Sequence, residues 1–398
     1  MILEITPEFL KKEMEKIGAH PASFPIFERK TRIILLKVFD ISTPTANIFK
    51  QEMLSLGGDA IVHKNSVDCK VDKTDIIFIG TKKQYDILLQ KMENNPYFDI
   101  PKVINELKTY FQKKKPEIIF TPWNRELKFN RTLVMGIINV TPDSFYAGSR
   151  KTNIEDILNT AQNMIENGVD IIDIGGQSTR PGSDFIEEEE ELKRVIPAIE
   201  EIRRNFPKVL ISVDTFRARV AEEAIKKGAD IINDISAFRF DKALLKVVKE
   251  YNSPYILMHM KGTPKDMQIN PYYEDVIKEI SEFFIERILF MTDNGIEENK
   301  IIIDPGIGFG KRYEDNLEIL SRLRELKSLK KPILIGASRK SFIGKALGDL
   351  PPEERLEGTL GVTALCFLND VDIIRVHDVK ENKRILKVLE AIKCIKHS

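Results

Sequence analysis

No apolar run in this 398-residue chain approaches the roughly 18 residues that a membrane-crossing helix needs. The opening stretch, MILEITPEFLKKEMEKIG, also lacks the apolar segment of a secretory leader. The expectation is a cytoplasmic protein with no membrane partner. Cysteine is scarce: Cys69, Cys366 and Cys394 lie far apart with no CxxC spacing, which argues against a disulfide framework or a zinc site and for a reducing compartment. Excess charge is missing too. Lys+Arg and Asp+Glu both number 61, so nothing draws the chain to nucleic acid, and an anionic ligand must be gripped by a local cluster of donors. A small-molecule partner is expected. No dinucleotide fingerprint appears: GIGFG at Gly306–Gly310 has the wrong spacing for GxGxxG, and GKA at Gly344–Ala346 lacks the Ser or Thr of a P-loop.

What is present, from about Arg131 onward, is one unit repeated: a short β-branched run, a polar or glycine-bearing turn, then an amphipathic stretch at helical spacing. The runs are Leu133–Val140, Asp170–Gly175, Val209–Asp214, Asp230–Ile235, Tyr255–His259, Lys300–Asp304, Pro332–Gly336 and Asp372–His377. Each is nearly continuous in apolar residues, as strands covered on both faces are, and the intervening helical stretches are the crossovers that parallel strands require. Eight such units predict a (β/α)8 TIM barrel, with an open doubly wound sheet as the alternative. The first part of the chain does not continue the repeat. Helical stretches at Pro7–Gly18, Thr45–Leu56, Lys82–Glu93 and Pro101–Gln112 alternate with runs such as RIILLKVF and DIIFIGT. This predicts a smaller N-terminal α/β domain over 1–125, of unassigned role, and a barrel over 126–398. Gly57 and Gly58, after KQEMLSL, read as a helix C-cap and turn.

Active sites of such barrels gather at the C-terminal ends of the strands. There the runs end in Asn139, Asp173, Asp214, Asn233 with Asp234, Asp304, and Arg375 with His377 and Asp378. One buried polar strand end is ordinarily a satisfied structural hydrogen bonder. Six strand exits bearing carboxylate, amide or imidazole are different, since leaving each unpaired would cost about 1–3 kcal/mol, and a polar ligand at the mouth is favoured. Arg375 and His377, with Thr179 and Arg180 of the loop GGQSTRPGS, offer donors to a phosphate-like group. The carboxylates and amides of the third, fourth and sixth runs suit a donor-rich heterocycle. His259, in MHMKGTP, has no second ligand at metal spacing and reads as a packed strand-end residue.

Seven motifs, in order and at the strand exits, resemble those of the dihydropteroate synthases: MGIINVTPDSF from Met135, DIGGQSTRPGS from Asp173, SVDTF from Ser212, INDIS from Ile232, DPGIGFGK from Asp304, GASRKSFIG from Gly336 and RVHDV from Arg375. The resemblance covers about residues 131–395. It implies condensation of a dihydropterin-methyl diphosphate with 4-aminobenzoate, largely dissociative, in which the main task is to stabilise departing pyrophosphate. It implies that Asn139 ligates Mg2+ together with diphosphate oxygens, and that Thr179, Arg375 and His377, with Arg180 nearby, bond the leaving group. Asp304 is implied to take two N–H donors from the pterin edge, with Asp214 and Asn233 reading further ring atoms. Lys340 would bond the O4 and N5 region, and Met258, Phe309 and Gly336 would shape the slot. Phe145, Thr179, Pro181 and Ser341 match positions that contact 4-aminobenzoate, and Asp173 is expected to orient the site. A homodimer through outer barrel helices is implied as well.

Two positions depart from the family pattern. Ala147 stands where usual members carry an Asp in the loop after the first strand, and Gln177 stands where many have Glu. The loops Thr141–Lys151 and Gly176–Asp184 are expected to close over the second substrate. Two other readings remain open: a pterin-dependent methyltransferase on the same barrel, which would give STRPG and RVHDV no diphosphate to hold, and a non-catalytic pterin-binding scaffold, for which Ala147 is the support.

Overall fold

A computed structural model describes residues 2–68, 70–140, 150–177 and 185–395, leaving aside the side chains of 150–153 and 395. The chain divides into two units, Met1–Lys114 with Ile392–Ser398, and Lys115–Ala391. Residues 115–125, grouped with the first domain on sequence, therefore fall in the barrel unit.

In the first unit, β1 (Ile33–Ser42), β2 (Asp59–Ile61) and β3 (Lys73–Thr81) form an antiparallel sheet in the order β1-β3-β2. Strand periodicity decides its buried face: Thr74, Ile76, Phe78 and Gly80 of β3 turn inward. They meet the helices Thr43–Ser55, Lys82–Met92 and Ile100–Gln112, which contribute Phe49, Met53, Tyr85, Leu88 and Val103 to one core. Thr81 and Gln84 form a capping box that starts the second of these helices. Gly57 adopts φ 75° after the first, which accounts for that stop. A helix at Phe24–Thr31 went unread in the sequence.

The second unit opens with a hairpin, β4 (Ile118–Phe120) against β5 (Glu126–Lys128). Eight parallel strands follow, each at the place the repeat predicts: β6 (Leu133–Asn139), β7 (Ile171–Gly175), β8 (Leu210–Asp214), β9 (Ile231–Asp234), β10 (Tyr255–Met258), β11 (Ile301–Asp304), β12 (Leu334–Ile335) and β13 (Ile373–Val376). Neighbours pair in chain order, β13 pairs β6, and a parallel bridge between Ile303 and Ile333 joins β11 to β12 and closes the ring.

Alternation along the strands divides the side chains into two sets. Val134, Ile138, Ile172, Ile174, Ile211, Val213, Ile232, Leu257, Ile303, Ile335, Ile374 and Val376 face outward into the layer of helices. Leu133, Met135, Ile171, Leu210, Ile231, Ile256, Ile302, Leu334 and Ile373 face inward at the N-terminal end, where Ile119, Leu127 and Phe129 of the hairpin region join them. The hairpin is pinned there by Trp123 Nε1 donating to the Ala229 carbonyl at 3.0 Å, Arg125 to Asp230 at 2.8 Å and Lys300 to the Phe120 carbonyl at 2.6 Å. It plugs the bottom of the barrel with apolar side chains.

Candidate active site

Two residues beyond that apolar layer, on the same inward register, come Asp173, Ser212, Asn233, Met258, Asp304, Gly336 and Arg375, and two further on come Asn139, Asp214 and His377. All eight barrel strands thus deliver named residues to one mouth. Asp234, one position out of phase, points the other way: it accepts from the Ser236 and Phe238 amides and, at 2.6 Å, from the Tyr255 hydroxyl. It belongs to the packing behind the strands.

Arg375 is the hub. Its Nε donates to Asp173 Oδ2 at 2.6 Å and its Nη2 to Asp214 Oδ2 at 2.7 Å, while Asn233 Nδ2 donates to Asp173 Oδ2 at 3.3 Å. Asp173 is wholly buried and has this cation and this amide as partners. Burial works against the charge of Arg375, but Asp173 and Asp214 outweigh it and hold its pKa above the ordinary arginine value. Asp214 is pushed up to about 7 by burial, with Asp173 adding to the rise and Arg375 opposing it.

Across the mouth, Asp304 Oδ1 accepts the Gly306 amide at 2.7 Å, which fixes the carboxylate at the strand end. The glycine is required. Its φ is 67°, and a Cβ there would fall 2.0 Å from the His259 carbonyl oxygen. Lys340 extends over the Phe309 ring, 4.5 Å from its centroid, and donates to the Ile307 carbonyl. Phe309 packs in turn on the apolar cluster that holds Met258. Burial pushes Lys340 down to about 8, with Asp304 opposing, and burial raises Asp304, with Lys340 opposing. An acid and a base on one slot are thus each drawn toward neutrality.

His377 and Asn139 are exposed at the rim, and Gly336 gives the slot a wall without side chain, its Cα hydrogen turned toward Arg375. Ser341 lies on the lining of an adjoining cavity of about 710 Å³ with Gly308, Tyr272, Arg312, Tyr313 and Lys345. His259 is buried, its ring edge-on to Phe283 and its Nδ1 3.0 Å from Lys311 Nζ. Burial and Lys311 drive its pKa well below the usual histidine value, in keeping with a packed residue. Phe145, Thr179, Arg180, Pro181 and Ala147 lie outside the described residues. Sequence reasoning passed over Ser338 and Arg339. Ser338 contacts His377, and Arg339 forms a bidentate pair with Asp378 at 2.8 and 2.7 Å, joining the exits of β12 and β13. Both sit inside GASRKSFIG, and Ser338 is two residues past Gly336, on the inward register that marks the rest of the site.

A closed parallel barrel whose mouth pairs a carboxylate–lysine slot with an arginine–histidine rim defines a class, and residues 135–377 match the pterin binding enzymes. The dihydropteroate synthase of Clostridium beijerinckii is 46% identical over 263 residues, covering 66% of this chain and 94% of that one. A crystal structure of the Xanthomonas albilineans dihydropteroate synthase with 4-aminobenzoic acid superposes with a TM-score of 0.64 at 40% identity, covering 69% of this chain and 98% of that one. This chain belongs to the dihydropteroate synthases, transferases of folate biosynthesis. A probable bifunctional folylpolyglutamate synthase/dihydropteroate synthase of Halobacterium salinarum is 39% identical over 352 residues, 88% of this chain and 42% of its own length. That match necessarily reaches ahead of Lys115.

Proposed function

We propose that the mouth of the barrel binds (7,8-dihydropterin-6-yl)methyl diphosphate with its ring between Asp304 and Lys340 and its diphosphate toward Arg375 and His377. The observation that carries this reading is the facing pair. Asp304 is anchored by the Gly306 amide and Lys340 lies over Phe309, and each opposes the other's pKa displacement, so an acceptor and a donor stand near one another beside Phe309, which packs on the cluster of Met258. A carboxylate so placed accepts two parallel N–H donors from a 2-amino-4-oxo edge, and the ammonium reaches the O4 and N5 side. Asp214 and Asn233 read the remaining ring atoms, and Asp173 holds Arg375 in place.

The reaction breaks the C–O bond to the diphosphate and forms a C–N bond from the 4-aminobenzoate amine to the pterin methylene, with pyrophosphate leaving. Arg375 and His377, with Thr179 and Arg180, neutralise charge as it develops on that leaving group. Among the described residues no three His, Cys, Asp or Glu side chains cluster as a metal cage. A single amide oxygen, from Asn139, fits an ion that arrives on the diphosphate, since Mg2+ commonly takes few protein ligands beside substrate phosphates. Bound there, Mg2+ would supply further positive charge to the leaving group. The acceptor enters beside Ser341, with Phe145, Thr179 and Pro181 on the loops, and those loops keep water from the electrophilic methylene.

The protein acts in the cytoplasm as a homodimer. Ile285 and Leu289, half-exposed on the outer barrel helix Val276–Asp293, support a helix-to-helix interface. The catalytic part begins ahead of the hairpin, and the N-terminal unit adds no residue to the chemistry. Pyrophosphate release tests the reaction. It should require the pterin diphosphate and 4-aminobenzoate together, and no release with both present would refute it.

A further inference from the structure

Ser338 follows β12 and is buried, at 7% exposure. Its Oγ accepts the His377 backbone N–H at 3.2 Å and lies 3.0 Å from Nδ1 of the same histidine. The chemistry of the hydroxyl makes the second contact directional. A serine carries one proton, and among the described residues His377 is its sole partner. If Nδ1 carried a hydrogen, the serine would accept twice and its own buried proton would have no acceptor, at a cost that buried polar groups rarely bear. We infer that Ser338 is a positioning residue that donates to His377 Nδ1, and so fixes the neutral imidazole as the tautomer with hydrogen on Nε2, a donor presented to the diphosphate. The inference rests on the diphosphate-binding reading of His377.

The surrounding backbone is braced to hold that contact. Arg339, next in the chain, has φ 55°, a conformation costly for a residue with a side chain. It is secured by its amide donating to Thr359 Oγ1 at 3.0 Å, by the bidentate pair with Asp378, and by Nη1 bonds to the Pro352 and Glu353 carbonyls at 2.9 Å. Asp378 adjoins His377. The exits of β12 and β13 are therefore tied twice, by Ser338 to His377 and by Arg339 to Asp378. The serine works through the histidine.

Nitrogen-15 spectroscopy of the full chain labelled at histidine provides the test, with the His377 signal assigned by its loss in His377→Gln. In the unsubstituted protein, above the titration of the ring, Nδ1 should be the unprotonated nitrogen and Nε2 the protonated one. Ser338→Ala should mix the two tautomers and weaken inorganic pyrophosphate binding about tenfold, the worth of roughly one hydrogen bond to a charged group, with the KM for 4-aminobenzoate unmoved. Ser338→Thr, which keeps the hydroxyl, should restore pyrophosphate affinity to within about twofold. A protonated Nδ1 in the unsubstituted protein would overturn the inference whether or not the alanine variant folds. So would unchanged pyrophosphate affinity in Ser338→Ala while His377→Gln loses it. Unchanged affinity in His377→Gln would instead remove the underlying diphosphate reading, and the inference with it.

Discussion

At the N-terminal end of the barrel the inward positions are Leu133, Met135, Ile171, Leu210, Ile231, Ile256, Ile302, Leu334 and Ile373, closed by Ile119, Leu127 and Phe129. Two residues along seven of those strands they become Asp173, Ser212, Asn233, Met258, Asp304, Gly336 and Arg375. Backbone, register and curvature are shared, so the contrast isolates side-chain chemistry. The lower layer gains from burial alone, at about 25 cal/mol per Å² of apolar surface. In the upper layer burial works against the charged forms of Asp214, Asp304 and Lys340, all displaced toward neutrality, and the arrangement stands because Arg375 bridges two carboxylates. One end of the barrel stabilises the molecule, and the other spends part of that stability on a site already shaped for its ligand.

The largest effect should come from removing the bridge. Arg375→Met leaves Asp173 and Asp214 desolvated and facing each other, and breaking a buried pair in this way costs about 3–5 kcal/mol. On the proposed diphosphate contact the leaving group would lose a donor as well, and turnover should fall by roughly 1000-fold or more. A thermal melt should show a lower Tm alongside. Wild-type kinetics in this variant would show that the upper layer does not depend on its hub. Next comes Asp304→Asn. If Asp304 accepts two pterin N–H donors as proposed, replacing it by a mixed group should lower kcat/KM by at least ~100-fold, about 3 kcal/mol. Its Tm should hold or rise, because burial already disfavours the carboxylate. A loss under about tenfold would take Asp304 out of the pterin role.

Ile302→Ala reverses the signature. Ile302 lies on β11 two residues before Asp304, wholly buried in the lower layer, and truncating it should cost about 2–5 kcal/mol of stability. Assayed well below its Tm, the variant should keep kcat/KM within about threefold. A large kinetic defect in a folded Ile302→Ala protein would mean that the two layers are coupled through the strand and that their roles cannot be separated.

How much of this contrast could be read from the sequence follows from what repeats and what does not. The eight strands were legible because β-branched runs recur with crossovers between them, and the period of two then assigns Asp173, Asn233, Asp304 and Arg375 to one face without coordinates. Asp234 shows the limit of reading strand ends one residue at a time: it adjoins Asn233 in the chain but hydrogen-bonds to Tyr255 behind the sheet. The partners of Arg375 were not legible, since Asp173 lies 202 positions away and only closure of the barrel brings them together. The helix Phe24–Thr31 escaped because it is short, eight residues, and buries none of them. The hairpin escaped because strands of three residues barely register as a pattern.

Lys340 predicts a graded effect. Its pKa, lowered to about 8 by burial, means that the ammonium is present below that pH and is lost as pH rises through it. If the charged form bonds the pterin, kcat/KM for the pterin diphosphate should decline above about pH 8, approaching tenfold per unit. Lys340→Arg should abolish this limb, since guanidinium stays protonated throughout. A limb that persists in the arginine variant belongs to another group.

The smallest effect concerns where the lower layer begins. Lys115 pairs with Asp372, whose other oxygen accepts the Ile333 amide at 2.9 Å, and the hairpin that follows supplies Ile119 and Leu127 to the barrel floor. A chain starting at Lys115 keeps all of these, so it should fold and retain kcat/KM within about twofold of the full chain, with no charge or hydrogen bond of the mouth altered. A chain starting at Asn130 keeps all eight barrel strands and every residue of the mouth but loses the floor. It should melt markedly earlier, because the apolar ends of eight strands then meet water. The pair of truncations therefore tests whether the hairpin, and not the N-terminal unit, completes the barrel. Equal stability of the two would return the hairpin to the first domain and leave the floor to the strands alone.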